Sequence, residues 1–332
     1  MDMKIFQKVV ANMKDEEYNN FEISHIKYFK KRGGIMISVQ NVTKQFSNGK
    51  GLFHITFDVK EGEVFGYLGP NGAGKSTTIR NLMGFIKPTA GKATIFGLDC
   101  WDEAAKIQRE VGYLPGEISF IEGMNGLEFL KLMQGMRGLK DTKKRDELIE
   151  RLQFDVKTPI RKMSKGMKQK VGIVVAFMHD PEVLILDEPT SGLDPLMQQV
   201  FIDLILEEKQ RGKTILMSSH IFTEIERTCD RVAIIKDGRL VTVENIHDLQ
   251  SMRRQVIDVT VSSQEEIESL TQCNLQFEAV KGREASIIVQ GNYQTVLQIL
   301  SNYNVTALQT RAMDLEHLFM HYYDKKEGVK HE

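Results

Sequence analysis

The sequence predicts an α/β protein built on a mixed or parallel sheet, followed by a smaller α+β domain, and three observations predict it. From Ile37 to about Leu240, short β-rich runs alternate with helical patterns, as they do when helices cover a sheet. The clearest of these runs, at 64–68, 183–186, 214–217 and 232–235, are apolar almost without interruption, which suits strands buried on both faces. After Val243 the pattern changes to a strand, a helix, a hairpin, a helix and a strand. At 332 residues, with 41% hydrophobic and 27% charged side chains, the chain is large enough for more than one core.

Residues 1–35 stand apart. An ordinary strand pattern begins only at Met36-Ile37-Ser38-Val39, so the preceding residues are expected to be a leader or a disordered extension, with Met36 as an alternative start. This stretch has Lys4, Lys8 and Lys14 followed by Asp15, Glu16 and Glu17, and it lacks the continuous apolar run of a signal peptide.

The first chemistry-bearing motif is Gly69-Pro70-Asn71-Gly72-Ala73-Gly74-Lys75-Ser76, followed by Thr77. It fits the P-loop pattern and lies between an expected strand and an expected helix, where the mechanism of that loop requires it. Its glycines let successive backbone N–H groups turn inward at a helix amino terminus and form an anion nest. Lys75 is expected to reach the β- and γ-phosphates of a nucleotide, and the Ser76 hydroxyl to ligate Mg²⁺.

Downstream, Val183-Leu184-Ile185-Leu186 ends in Asp187-Glu188, so two carboxylates leave the sheet at one edge. Asp187 suits the role of holding Mg²⁺ through water, and Glu188, one residue further, that of a general base toward an attacking water. Between these motifs the pattern turns helical and charged. Leu127, Phe129, Leu130 and Met133 lie on one stretch, and Leu148, Ile149 and Leu152 on the next, so a helical insertion is expected over about 118–165.

At Met163-Ser164-Lys165-Gly166-Met167-Lys168-Gln169-Lys170 the sequence resembles the ABC ATPase family, which carries its signature upstream of the acidic strand. Ser191-Gly192-Leu193-Asp194 resembles the family's D-loop, His220 in Ser218-Ser219-His220 its switch histidine, and Phe46 the aromatic that stacks on adenine. The resemblance covers roughly 36–243 with every motif in order. It implies a P-loop NTPase of ABC type, with a β subdomain and the helical insertion, acting as an ATP hydrolase with ATP and Mg²⁺.

The resemblance further implies a homodimer or heterodimer of ATPase subunits. Each ATP is then sandwiched between Gly69 to Thr77 of one subunit and Ser164, Lys165, Gly166, Met167 and Asp194 of the other. Glu188 and His220 would orient the attacking water. The Gly-Pro-Asn-Gly-Ala-Gly-Lys-Ser-Thr loop, the Ser-Lys-Gly-Met signature and the end segment Asp314-Leu315-Glu316-His317-Leu318-Phe319 look like stand-alone subunits of ABC-2 type exporters, the branch that includes multidrug, antibiotic-resistance and sodium efflux systems. Such a subunit works at the cytoplasmic face of the membrane against separate multi-span permease subunits. A coupling helix of such a partner is expected to dock near 116–125. A soluble regulatory ABC-type ATPase without a membrane partner is the rival reading.

Two departures from the family pattern stand out. Gly116 occupies the position of the usual Q-loop glutamine, and Glu117 is the expected substitute toward Mg²⁺. In the signature, Lys165 replaces a glycine and Met167 a glutamine, while Ser164 and Gly166 are retained.

The remainder, 244–332, is expected to form an accessory α+β domain. Its order β-α-β-β-α-β is that of a ferredoxin-like unit, with a hairpin near Lys281-Gly282 and a closing helix over 314–323. A net charge of −1 provides no global attraction to nucleic acid or anionic lipid. Cys100, Cys229 and Cys273 show no pairing or metal-ligand spacing and read as plain buried thiols, and Trp101 reads as a packing residue. The longest apolar stretch, 171–186, is broken by His179, Asp180, Pro181 and Glu182, which leaves it short of a membrane span.

Overall fold

The computed structural model of the protein describes residues 34–251, 255–289 and 293–312. Contacts divide the chain into two compact units, the first ending at Ile246 and the second beginning at His247. The division falls just beyond the expected one because β10, introduced below, runs on to Asn245 as a paired strand. All but the last two residues of the expected leader lie outside the described residues.

The first unit runs β1 (Ile35–Gln45), β2 (Gly51–Lys60), β3 (Val64–Leu68), α1 (Lys75–Leu82), β4 (Ala90–Ile95), β5 (Leu98–Asp99), α2 (Ala104–Glu110) and β6 (Val111–Leu114). It continues α3 (Gly126–Met136), α4 (Lys143–Leu152), α5 (Lys165–Phe177), β7 (Val183–Asp187), α6 (Pro195–Gln210), β8 (Thr214–Ser219), α7 (Phe222–Thr228), β9 (Arg231–Lys236) and β10 (Arg239–Asn245); α8 (Ile246–Ser251) begins at the boundary, with all but its first residue in the second unit. Four strands form an antiparallel sheet in the order β2-β1-β4-β5. Six form the main sheet, β10-β9-β3-β8-β7-β6, parallel throughout except where β10 returns on β9.

That β9-β10 return is a two-residue hairpin through Asp237 (φ 49°) and Gly238 (φ 72°), the two positive-φ positions a twisted hairpin of this length requires. Every residue of β3 and β7 is buried, as the uninterrupted apolar runs predict. Register then decides function. Leu68 lies opposite Ser219, and Asp187 opposite Ser218, so the residues following β3, β7 and β8 emerge together at one edge of the sheet.

Aromatic side chains fill the interior around this sheet. Phe57 stacks on Phe65 with centroids 5.2 Å apart, and Phe201 meets Phe177 edge to face at 6.5 Å. Phe201 is fully buried on α6, so Phe201→Ala is expected to cost about 3–5 kcal/mol through lost transfer energy and a cavity. A melting temperature within 2 °C of the parent would show that the site collapses without penalty.

The helical insertion is held to the main body by charge and by backbone acceptors. Asn125 and Glu128 form a capping box on α3. The Arg137 guanidinium donates to the Arg109 carbonyl at 2.8 Å. Lys144 pairs with the buried Glu208 at 2.7 Å, and Arg151 makes a two-pronged bridge to Glu207 at 2.5 and 2.8 Å.

The second unit contains β11 (Gln255–Val261), α9 (Gln264–Thr271), β12 (Gln276–Lys281), β13 (Glu284–Val289), α10 (Tyr293–Leu300) and β14 (Val305–Ala312). The sheet order β12-β13-β11-β14 with every neighbour antiparallel is the ferredoxin-like arrangement that the element order predicts. Its core sets Ile257, Val259, Val261 and Ile287 against Ile267, Leu270, Val296 and Leu300. The expected closing helix at 314–323 lies outside the described residues.

Two expectations need correction. Cys100 and Cys229 are buried thiols, but Cys273 is only half-buried, because it lies on the turn after α9, where its Sγ meets the Tyr303 hydroxyl at 3.2 Å. Trp101 is 37% exposed rather than packed inside, with the Lys87 ammonium 5.5 Å from its ring centroid.

Candidate functional site

The loop after β3 curls into α1 because its backbone can do what side chains forbid. Gly74, the residue before the helix, has φ 110°, and a Cβ there would fall 2.7 Å from Leu52 Cδ2. Backbone hydrogen bonds fasten the loop on both sides. Gly69 N donates to Ser219 O at 3.2 Å, and Gly238 N donates to Ala73 O at 2.9 Å. Phe53 N in turn donates to Gly238 O at 2.7 Å, which ties the strand after the Phe46 turn to the loop.

Lys75 is 5% exposed, and its ammonium donates to Gly69 O at 2.6 Å and to Pro70 O at 3.2 Å. It also lies 3.0 Å from Glu188 Oε1, a pairing by charge rather than by aligned hydrogen bond, since that oxygen is a buried acceptor with no hydrogen-bond partner. Glu188 Oε2 contacts His220 Nδ1 at 2.6 Å. The sheet edge thus gathers Lys75, Glu188 and His220 from three separate loops into one chain of contacts.

Glu188 is held in an unusual backbone conformation. Its φ of 49° is left-handed, and for a residue with a side chain that state costs about 1–3 kcal/mol and persists only where neighbours over-determine it. The neighbours are identifiable. Glu188 N donates to Ser218 O at 3.2 Å and to Ser218 Oγ at 3.1 Å, while its carbonyl accepts from Gln169 Nε2 at 3.3 Å and from Ser191 N at 3.1 Å. Ser218 Oγ donates to Asp187 Oδ1 at 2.6 Å, which fixes the neighbouring carboxylate as well.

Asp187 is 3% exposed, and its other oxygen, Oδ2, faces Gly116, where a Cβ would lie 3.1 Å away. The Q-loop position therefore lies directly over the acidic strand end with no side chain of its own. Glu117 is exposed and forms no hydrogen bond or ion pair to Ser76 or Asp187. The negative charge of Asp187 is felt at Tyr113, whose hydroxyl is pushed well above the usual phenol range, chiefly by burial.

The signature begins α5. Ser164 is its N-cap, with Oγ accepting from Met167 N at 3.2 Å, so the first backbone N–H groups of the helix present a positive end. Ser164 and Lys165 are exposed, and Gly166 and Met167 half-buried. A Cβ on Gly166 would lie 2.5 Å from Gly192 O, which explains why this glycine is kept where Lys165 is allowed to differ. Lys165 donates to Ser191 Oγ at 2.8 Å. Asp194 caps α6, accepting from Met197 N at 3.0 Å. Phe46 is 39% exposed at the turn between β1 and β2, with the Lys44 ammonium 5.8 Å from its ring. Within the chain, the structure thus joins the phosphate loop to Glu188 and His220, and the signature to the D-loop; Phe46 and Glu117 form no hydrogen bond or ion pair with either group.

Sequence reasoning missed Gln169 and Ser218, although both stand inside quoted motifs. Their roles depend on which backbone groups they reach, and only three-dimensional proximity reveals that. Among the described residues, no cluster of three or more His, Cys, Asp or Glu side chains forms a self-sufficient metal site. Ser76 and Asp187 fit a metal ion that takes its remaining oxygens from a bound phosphate, as hard oxygen ligands suit Mg²⁺.

The family described as ABC transporter matches residues 52–191. The bacitracin transport ATP-binding protein BcrA of Bacillus licheniformis is 38% identical over 69% of this chain and 76% of its own length. The linearmycin resistance ATP-binding protein LnrL of Bacillus subtilis is 32% identical over 86% of this chain and 97% of its own. A solved structure, "Dimeric Structure of MJ0796, a Bacterial ABC Transporter Cassette", is 26% identical with a TM-score of 0.58, covering 64% of this chain and 99% of that one. This chain is therefore a member of the ABC transporter family, an ATP-binding subunit with an ATPase domain.

Proposed function

We propose that two copies of this chain, or this chain and a related one, close on ATP and thereby drive a substrate outward through separate multi-span membrane subunits. The observation that carries this reading is Glu188, fixed between Lys75 and His220 at the mouth of the phosphate loop. In the closed pair each ATP lies between residues 69–77 of one subunit and Ser164, Lys165, Gly166, Met167 and Asp194 of the other, with the adenine on Phe46. The exposed, capped start of α5 supports this, because a helix amino terminus is a ready anion site.

Hydrolysis follows from the positions of the side chains. Glu188 accepts a proton from water, the water oxygen bonds to the γ-phosphorus, and the bond from that phosphorus to the bridging oxygen breaks, leaving ADP and phosphate. His220 holds Glu188 and the γ-phosphate in line. Lys75, now shared with the loop carbonyls, turns its charge to the phosphates. Ser76 and Asp187 would hold Mg²⁺, with Glu117 as a further ligand reached through the side-chain-free Gly116, and the ion would supply neutralisation of charge on the phosphate oxygens.

The exporter branch is supported by the names of the relatives, one for bacitracin transport and one for linearmycin resistance. No helix among the described residues is long and apolar enough to cross a membrane, so on this reading the pathway lies in another polypeptide, and the chain works at the cytoplasmic face of the bilayer. The second unit, as an accessory domain, and residues 1–35, as an extension, complete the organisation. The exposed segment Ile121-Glu122-Gly123, between β6 and α3, offers the coupling surface.

Purified from detergent-solubilised membranes, the chain is expected to bring down a multi-span membrane protein. Glu122→Lys in that complex should leave ATP hydrolysis within about twofold while transport falls at least about tenfold, since a reversed rim charge opposes docking. A chain that emerges without a membrane partner is a regulatory ATPase instead, and unchanged transport by the Glu122→Lys complex rules out this docking segment.

A further inference from the structure

Gln169 is 3% exposed and reaches the backbone of Glu188. Its amide nitrogen donates to two successive carbonyls, Glu188 O at 3.3 Å and Pro189 O at 2.8 Å. One planar –NH₂ group has two diverging N–H bonds, so a glutamine suits two neighbouring acceptors. A carboxylate of the same shape would face those oxygens with like charge, and a methionine would remove the side-chain donor from both, leaving Glu188 O only the Ser191 N–H.

The contact belongs to a longer seam. Residues 188–192 lie along the first two turns of α5 and are fastened to it at both ends. At the far end Lys165 Nζ donates to Ser191 Oγ at 2.8 Å, and Gly166 lies so close that a Cβ would stand 2.5 Å from Gly192 O. At the near end are the two Gln169 bonds. On the opposite side, Ser218 holds Glu188 N, and Thr190 Oγ1 donates to the buried Glu224 at 2.5 Å. Glu188 sits at the end of this seam in the left-handed backbone state, the conformation most dependent on outside restraint.

We infer that Gln169 is a positioning residue for hydrolysis: it holds the backbone at Glu188 so that the carboxylate stays between Lys75 and His220, and it passes any shift of the signature turn to that carboxylate. Because Ser164 and the start of α5 are the surface offered to a second subunit's nucleotide, the seam links the γ-phosphate of one site to the base of the other. This rests on the reading of Glu188 as the base.

The test is Gln169→Met in the full-length chain, with steady-state hydrolysis and equilibrium nucleotide binding measured side by side. Turnover is expected to fall roughly 10- to 100-fold while KM and nucleotide affinity stay within about twofold, because the phosphate loop is untouched. In a Glu188→Gln background the same substitution should add no further loss to the single-turnover rate, since the two residues act through one carboxylate. Turnover within twofold of the parent overturns the inference, as does a loss of affinity equal to the loss of turnover, or a full additional loss in the double variant.

Should Gln169→Met fail to fold, Gln169→Asn, one methylene too short for both carbonyls, is read in the same way. If neither variant folds, Gln169 serves the fold alone and the inference falls. Parental hydrolysis by Glu188→Gln itself would instead remove the base, a failure of the proposed function that is visible without any Gln169 variant.

Discussion

Glu188→Gln is expected to slow ATP turnover by about three orders of magnitude, the middle of the range for losing a general base, and to accumulate as a nucleotide-locked pair. The substitution keeps size and shape, so the backbone restraints from Ser218 and Gln169 remain. It removes the charge that draws Lys75 to Oε1 at 3.0 Å and the lone pair that would take the proton from water. A thousandfold loss corresponds to about 4 kcal/mol of transition-state stabilisation. Binding is a separate matter, because the phosphate loop and the signature are untouched, and ATP that is bound but not cut keeps favouring the closed state by mass action. Phosphate release and size-exclusion chromatography with Mg-ATP read the two effects separately. Parental turnover, or a chain that stays monomeric with ATP, contradicts the role assigned to Glu188.

Lys75→Ala is expected to act one step earlier, on binding. Its ammonium lies among the carbonyls of the phosphate loop, at 2.6 Å from Gly69 O and 3.2 Å from Pro70 O. Charged hydrogen bonds in such surroundings are worth about 1.5–3 kcal/mol each, so two lost to phosphate oxygens should weaken ATP by roughly 10²- to 10⁴-fold. Adenosine, which has no phosphate, should bind the variant as it binds the parent. Equal affinity of parent and variant for ATP would mean that the triphosphate does not lie in this loop. The two variants therefore separate: Glu188→Gln binds and does not cut, and Lys75→Ala does not bind.

Much of the machine was legible before folding. The phosphate loop and the acidic strand end follow from local chemistry and spacing, the signature and the histidine were read from the family resemblance, and the expected strands agree with β3, β7, β8 and β9 to within one or two residues. The ferredoxin-like order was also legible, because alternation with period two and helical spacing leave distinct marks even in a small domain. The four-stranded antiparallel sheet was foreseen only as the β subdomain that the family resemblance implies, not in the pattern of its strands. Its strands β2 and β4 mix exposed and buried positions irregularly, and β1 carries register shifts that blur the alternation. The half-buried Cys273 and the exposed Trp101 were misjudged for a related reason, since residue type reports average burial and not the turn on which a side chain sits.

By itself the sequence determined which groups are available: a lysine and glycines for phosphate, two adjacent acids, a histidine, and a serine to cap a helix. Tertiary structure alone decided how they meet. Register places Leu68 opposite Ser219 and Asp187 opposite Ser218, and this brings Lys75 and His220, 145 positions apart in the numbering (220 − 75), onto the two oxygens of one carboxylate. It also decided that Gln169, a glutamine at the start of a largely buried helix, holds two carbonyls of the acidic turn. The physical reason is that motif chemistry acts over a few bonds, while hydrogen bonds and charges act over a few ångströms of space, and only the packed sheet converts one distance into the other.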